Sequence, residues 1–433
     1  MDMLNATAGE IAAAVNRGEL TAQQVCAHFL DRIEAFEPTI QAFAFLDTED
    51  AKRQARDIDA RAHKGPLAGV PVGVKDIYDT ADMPTEFFSS IYAGNRPSRD
   101  AAVVALLRAA GAIVIGKTHT TEFAYMHTGP TRNPHDLSRT PGSSSAGSGA
   151  GMAAGFFPLA LGSQTAGSLL KPASFCGVFA YKPTARLVSL EGVKPLAPSF
   201  DTVGWYGRSV DDLALVAHAL LPNFPSAPEA PPRLRLAFAN TPKLADVAPA
   251  LREQFASVRA KLVAAGHSVD ELALPEGFGG LYEHHRIVND SEGARSLAHE
   301  RLNAFDQLSE DVRAMMVRAD AISWDMELSA RQSIAALAEI IEPTVAGYDA
   351  VLDLSTGVTA LSGLGTTGPS DFIKAWMCFG LPQVSLPAMS DADGLPFGLQ
   401  LVTSRYRDAC LLGVARAVAL ALDCPRLTPA RLG

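Results

Sequence analysis

The sequence predicts an α/β protein, a layered sheet with helical cover, and three observations carry that prediction. Short β-branched runs alternate with helical patterns along most of the chain, as in "GVPVGVKDIYDT", "AIVIGKT", "RLRLAFA" and "SVDELAL". The 433 residues are 48% hydrophobic and 19% charged, an ordinary globular composition able to bury a large core. No apolar run approaches the roughly 18 residues that span a bilayer, and the start "MDMLNATAGE" lacks a basic segment followed by an apolar one.

The elements follow in chain order. Thr7 to Glu10 and Thr21 to Gln24 have the spacing of a capping box, and Val25, Phe29 and Ile33 then repeat every four residues, so two N-terminal helices are expected. Gly69 to Thr80 reads as a buried strand and turn carrying Lys75. Asp100 is expected to cap a helix running to Ala110, with "AIVIGKT" a strand after Gly111. "GMAAGFFPLALG" reads as a small-residue helix entering an apolar segment, and a further helix is expected near Ala248 to Ala265. Leu221 to Leu234 is proline-rich and Leu354 to Asp371 is rich in Gly, Ser and Thr; both read as linkers or surface loops. Between them, Tyr282 to Ala346 is helical by pattern and polar enough to be expected outside the core.

Charge and cysteine usage narrow the function. A net charge of -10 without a Lys/Arg run argues against nucleic acid or an anionic membrane as partner. Cys26, Cys176, Cys378, Cys410 and Cys424 are scattered, odd in number and form no C-x-x-C pair, which predicts neither a disulfide framework nor a cysteine metal site. A reducing, cytoplasmic setting fits. His284 and His285 are adjacent, so a helix turns them to different sides, and no metal is expected there.

Chemistry is concentrated in two hydroxyl-rich loops, "PGSSSAGSG" and "SQTAGSLLKP". The first departs from a phosphate loop, because Gly147 is followed by Ser148 and Gly149, and the dinucleotide pattern fails at Met152. Taken alone it reads as a serine-rich loop without chemistry. Three features together read differently. Lys75 lies in an apolar strand pattern, where a neutral amine is easier to bury than an ammonium and would act as a base. Ser168 follows "TAG", small residues that let successive backbone N–H groups turn toward one point. One helix between Ser144 and Ser168 can bring both loops to the same end of a sheet, suggesting a base, a relay hydroxyl and a nucleophile.

In "GPLAGVPVGVKDIYDT", "AGAIVIGKTHTTEFAY", "TPGSSSAGSGAGMAAG", "LGSQTAGSLLKPASFCGVFAYKPT", "DTVGWYGRSVDDLALVAHAL" and "GLPQVSLPAMSDADGLPFGLQLV" the chain resembles the amidase signature enzymes, over essentially its whole length. The resemblance implies a single α/β/α domain spanning 1–433 with a large mixed central sheet, an N-terminal helical segment over 1–60 and a variable, largely helical insertion over 224–350. It implies a Ser-Ser-Lys triad on Lys75, Ser144 and Ser168, and oxyanion donors on the backbone N–H groups of Thr165, Ala166, Gly167 and Ser168. Ser168 would attack the carbonyl while Ser144 passes its proton to Lys75. Tyr125 and His127 stand where family members line the acyl pocket, and Ser143 precedes the relay serine and is a further candidate contact.

Departures from the family pattern are informative. Ser143 replaces a common Gly whose bond to the relay serine is often cis, and Ala146 and Ala166 replace frequent glycines. Gln164 and Leu170 replace the Asp and Arg of the family's "DTGGSIR" together, so a neutral support for the loop is expected. Cys176 matches a packing position in "FCG", and Asp76, adjacent to Lys75, should face away from it. The expected function is hydrolysis of a carboxylic amide of a small or medium-sized substrate, with side activity on esters and no cofactor. A homodimer is left open. Two alternatives are the amidase component of an amidotransferase complex built from several chains, and a silent binding protein.

Overall fold

The two N-terminal threonines cap their helices as their spacing predicts. In a computed structural model, which describes every residue except Pro425, Thr428, Arg431 and Gly433, Thr7 and Thr21 each close a full capping box. They open α1 (Ala8–Asn16) and α2 (Ala22–Ile40), followed by β1 (Phe43–Leu46), α3 (Thr48–Asp59) and β2 (Pro71–Lys75). Next come α4 (Ala102–Ala109), β3 (Ile113–Thr118), α5 (Ala146–Ala154), β4 (Leu159–Gln164) and α6 (Leu170–Cys176). The chain continues through β5 (Phe179–Lys182), β6 (Thr202–Gly207), α7 (Val210–Leu220), β7 (Arg235–Ala239), α8 (Pro249–Ala264) and β8 (Ser268–Leu272). Helices α9 (Leu281–Ser296), α10 (Ala298–Asn303), α11 (Glu310–Asp320) and α12 (Trp324–Ala346) form the helical stretch anticipated there. It closes with β9 (Ala350–Leu354), α13 (Asp371–Met377), β10 (Gln383–Ser390), β11 (Pro396–Val402) and α14 (Asp408–Ala421).

The eleven strands among the described residues join one mixed sheet in the order β1-β3-β2-β4-β6-β5-β10-β11-β9-β7-β8. β3, β2 and β4 run parallel, as do β9, β7 and β8, and antiparallel strands fill the middle. Every residue of β2, β3, β4 and β6 is buried. A strand buried at both alternations is covered on both faces, so helices lie on each side of this sheet. Because β2 and β4 are parallel neighbours, Lys75 and Gln164 leave the sheet at the same end. That end, the carboxyl edge of parallel strands, is where α/β sheets present their sites.

Helix α5 explains its own composition. All nine of its residues are buried, and a side chain at Gly147 would stand 2.2 Å from the Ala42 carbonyl oxygen, while one at Gly151 would strike the Phe157 ring at 2.4 Å. At these two positions only glycine fits. Among the described residues, no helix is long and apolar enough to cross a membrane.

Three expectations about individual elements are corrected. Asp100 does not cap α4; its carboxylate accepts from the Ala81 N–H at 2.8 Å and pairs with Arg108 at 3.0 Å, and Ala101 takes the cap position without a side-chain bond. The 282–346 stretch does not stay outside the core, since Val288, Val312 and Met315 are buried in it. Its polarity misleads because buried carboxylates there are paired: Glu327 with Arg295 and Arg331, Glu292 with Arg331, Glu300 with Lys194. Nor is 354–371 a linker. Arg139 donates to the Ala360 carbonyl at 2.7 Å and Thr140 to that of Leu361 at 3.0 Å, which dock this loop against the first serine loop.

Candidate active site

Lys75 is the last residue of β2 and is fully buried. Its Nζ lies 2.6 Å from Ser144 Oγ and 2.8 Å from Ser163 Oγ. Burial holds its ammonium form well below the ordinary lysine range, opposed only in part by the charge of Asp201. Asp76 does face away, pairing with Lys117 at 2.9 Å, where Thr85 Oγ1 also meets the amine. The Lys75 amine is therefore flanked by the Ser144 and Ser163 hydroxyls.

A backbone hydrogen bond joins the two serine loops, from the Ser145 N–H to the Ser168 carbonyl at 3.2 Å. Ser145 Oγ adds a second tie, accepting from the Ser163 N–H at 3.2 Å. The Ser143–Ser144 peptide is trans, and neither Ala146 nor Ala166 has a positive φ, so alanine costs no strain where glycine is frequent. Gly167 is different: a side chain there would lie 2.7 Å from Ser370 Cβ and Oγ, so the loop can pack here only as glycine.

Gln164 supplies the neutral support expected of it. Its Oε1 accepts from the N–H groups of Leu169 at 3.1 Å and Leu170 at 2.9 Å, while its Nε2 donates to Gln383 Oε1 at 2.8 Å. The Leu170 side chain is fully buried.

Thr165 is held on both sides. Its hydroxyl donates to Asp201 at 2.6 Å, and the other oxygen of Asp201 accepts from the Leu196 N–H at 2.8 Å. Its carbonyl lies 3.0 Å from His285 Nε2, on α9. Burial pushes His285 down to about 3, so the ring is neutral and, facing a carbonyl, donates its Nε2–H. The ring stacks on Phe200, centroids 4.3 Å apart. His284 indeed turns to another side. Ser163, Asp201 and His285 are not singled out by the sequence; His285 is read there only against a metal.

A cavity of about 280 Å³ opens over this loop, lined by Ser143, Thr165, Ala166, Gly167 and Ser168 from the serine loops and by Tyr125, Lys171, His285 and Lys374 among others. Ser143 and Tyr125 therefore reach it, and the Tyr125 hydroxyl accepts from Arg318 at 2.7 Å. His127 does not line it. That side chain is exposed, stacks on Phe88 and points toward Asp311 at 4.0 Å, because the chain turns away from the cavity after Met126. Cys176 is buried with its Sγ 3.6 Å from the Pro141 carbonyl, and burial raises its thiol pKa far above the ordinary value. Among the described residues, no three His, Cys, Asp or Glu side chains gather as a metal site.

Comparisons with known proteins agree with one another. A glutamyl-tRNA(Gln) amidotransferase subunit from Symbiobacterium thermophilum is 33% identical over 94% of this chain and 95% of its own length. The peptide amidase of Stenotrophomonas maltophilia superposes with a TM-score of 0.85 at 27% identity, covering 98% of both chains. A chain from a vestigial protein complex, described as revealing the origins of an s-triazine catabolic enzyme, gives 0.88 at 27% identity, over 96% of this chain and 99% of that one. The family model described as Amidase matches residues 24–412, and with a whole-length relative at this identity the chain belongs to the Amidase family.

Proposed function

We propose that this chain hydrolyses a carboxylic amide of a small or medium-sized substrate through an acyl-enzyme on Ser168, with Ser144 and Lys75 as the proton relay. The observation that carries it is Lys75: buried, held toward its neutral form and 2.6 Å from the Ser144 hydroxyl. A neutral amine in that place has a lone pair to accept the Ser144 proton, and Ser144 in turn takes the proton of Ser168. The Ser168 oxygen bonds to the amide carbon, and negative charge on the former carbonyl oxygen faces the N–H groups of Thr165, Ala166, Gly167 and Ser168. As the C–N bond breaks, the relay returns the proton to the leaving nitrogen. Water then gives its proton to the same relay and attacks the ester, releasing carboxylate and free Ser168.

Ester cleavage as a side activity and a cytoplasmic setting belong to the same reading; five free cysteines support the latter. One observation favours a second reading: the Symbiobacterium thermophilum relative is by name one component of an amidotransferase. The neutral Gln164 and Leu170, in place of the charged pattern "DTGGSIR", weigh toward a self-sufficient hydrolase.

The test is turnover by the purified single chain on a panel of amides, esters and ureas. Amide hydrolysis without a partner protein or tRNA is expected. Activity that appears only with added partner proteins would favour the amidotransferase reading, and none under either condition would leave a binding protein.

A further inference from the structure

The charges around the cavity are unequally satisfied. Three cations (Lys171, Arg286, Lys374) and two carboxylates (Asp290, Asp371) line it. Asp290 is paired with Arg318 at 2.9 Å and Arg286 at 3.4 Å, and Arg286 is further bound by Glu283. Lys374 stands 3.8 Å from Asp371, too far for a direct hydrogen bond. Lys171 is left over. It is 1% exposed, forms no salt bridge among the described residues, and makes one hydrogen bond, to the Gly368 carbonyl at 2.7 Å, although an ammonium has three protons to donate.

Resting on the hydrolase reading, we propose that Lys171, assisted by Lys374, binds a carboxylate on the substrate, so that the amides hydrolysed here carry that carboxylate a few atoms from the scissile carbonyl. Lys171 follows Ser168 by three positions, about one helical turn, in the first turn of α6. An anion beside it is thus close to the reacting carbonyl. The cavity, about 280 Å³, suits a molecule of that size. Burial pulls Lys171 down to about 7, Lys374 pushes the same way, and the charge of Asp371 opposes them only in part. A bound carboxylate supplies the direct ion pair that Lys171 lacks among the described residues. A purely structural role would instead make Lys171 a latch between α6 and the 354–371 loop.

Binding and turnover separate these roles. The Ser168→Ala protein is titrated calorimetrically with malonamate, succinamate and glutaramate, and with the neutral diamides of the same shape. At least one monoamide should bind about tenfold or more tighter than its diamide, as expected for a charge-assisted pair. Lys171→Met in that background should abolish the difference and Lys171→Arg should retain it; the active enzyme should show the same ratio in kcat/KM. Equal binding of every monoamide and its diamide, or a preference that Lys171→Met leaves intact, overturns the proposal. Equal loss on both ligand types in Lys171→Met assigns a latch and overturns it as well. Carboxylate binding through Lys171 without hydrolysis of any amide would support this site while refuting the hydrolase. Hydrolysis of diamides with no monoamide preference would do the reverse.

Discussion

Removing the His285 ring tests whether the loop before Ser168 is positioned from outside. In His285→Ala the Thr165 carbonyl loses its 3.0 Å donor inside the protein, a cost of about 1–3 kcal/mol for a buried acceptor left unpaired. The stack on Phe200, at 4.3 Å, contributes about 0.5–1.5 kcal/mol more. Unfolding stability should therefore fall by about 1.5–4.5 kcal/mol. The kinetic effect has a different signature. Thr165 keeps its Asp201 anchor, so the loop stays in place but its amides lose alignment, and misplacing one oxyanion donor lowers kcat by about 10²–10³. KM should change little. Urea unfolding gives the first quantity and steady-state hydrolysis of a small amide the second. His285→Gln, which can still donate to the carbonyl, should recover most of kcat. Because the ring is neutral above about pH 4, with its pKa near 3, it should add no limb to the rate profile between about pH 5 and 9. The reasoning is refuted if His285→Ala loses stability while kcat is unchanged, or if His285→Gln is no better than His285→Ala.

The pH dependence should report Lys75. Its folded pKa is depressed by burial, so the active neutral form is depleted as pH falls through that value, and the rate should rise with pH through a limb below 10.5. The same sign makes Lys75 cost stability as pH falls from 10.5 toward that value, where the unfolded chain binds the proton more readily. Lys75→Ala should remove the rate limb and reduce amide turnover more than ester turnover, measured as paired pH profiles; equal loss on both would exclude the relay as proton donor to the amine. For the neutral loop support, Leu170→Arg puts an unpaired charge at a fully buried position and should destabilise by several kcal/mol. Gln164→Asp should restore part of that in a double-mutant cycle by urea unfolding, and strict additivity would show the side chains do not interact.

How much of this is legible in the sequence depends on the range of the interaction that decides each residue. The capping boxes at Thr7 and Thr21 and the buried strand through Lys75 are set within a few residues, and all can be read locally. Asp100 fails at the same range, because a contact with Arg108 and the Ala81 N–H outcompetes the local cap. The convergence of Lys75 and the serine loops follows from motif order. Ser163 escapes notice although it sits one residue before Gln164 in the second serine loop. His285 cannot be found that way. It reaches Thr165 across 120 positions, from a stretch whose paired carboxylates disguise a buried helix as a solvent-facing one. The glycine-rich 354–371 stretch looks like a linker because composition records turns and not docking, and Arg139 supplies the docking.

The central claim is that Ser168 is the nucleophile, and trapping it is the most direct measurement. A sulfonyl fluoride or phosphonate is incubated with the wild type and with Ser168→Ala, and the modified residue is located by peptide mass spectrometry alongside an amide turnover assay. The account predicts a single label on Ser168, none on the folded Ser168→Ala protein, and loss of turnover in that variant. A label on Cys176, with Ser168→Ala still hydrolysing amide, would contradict it.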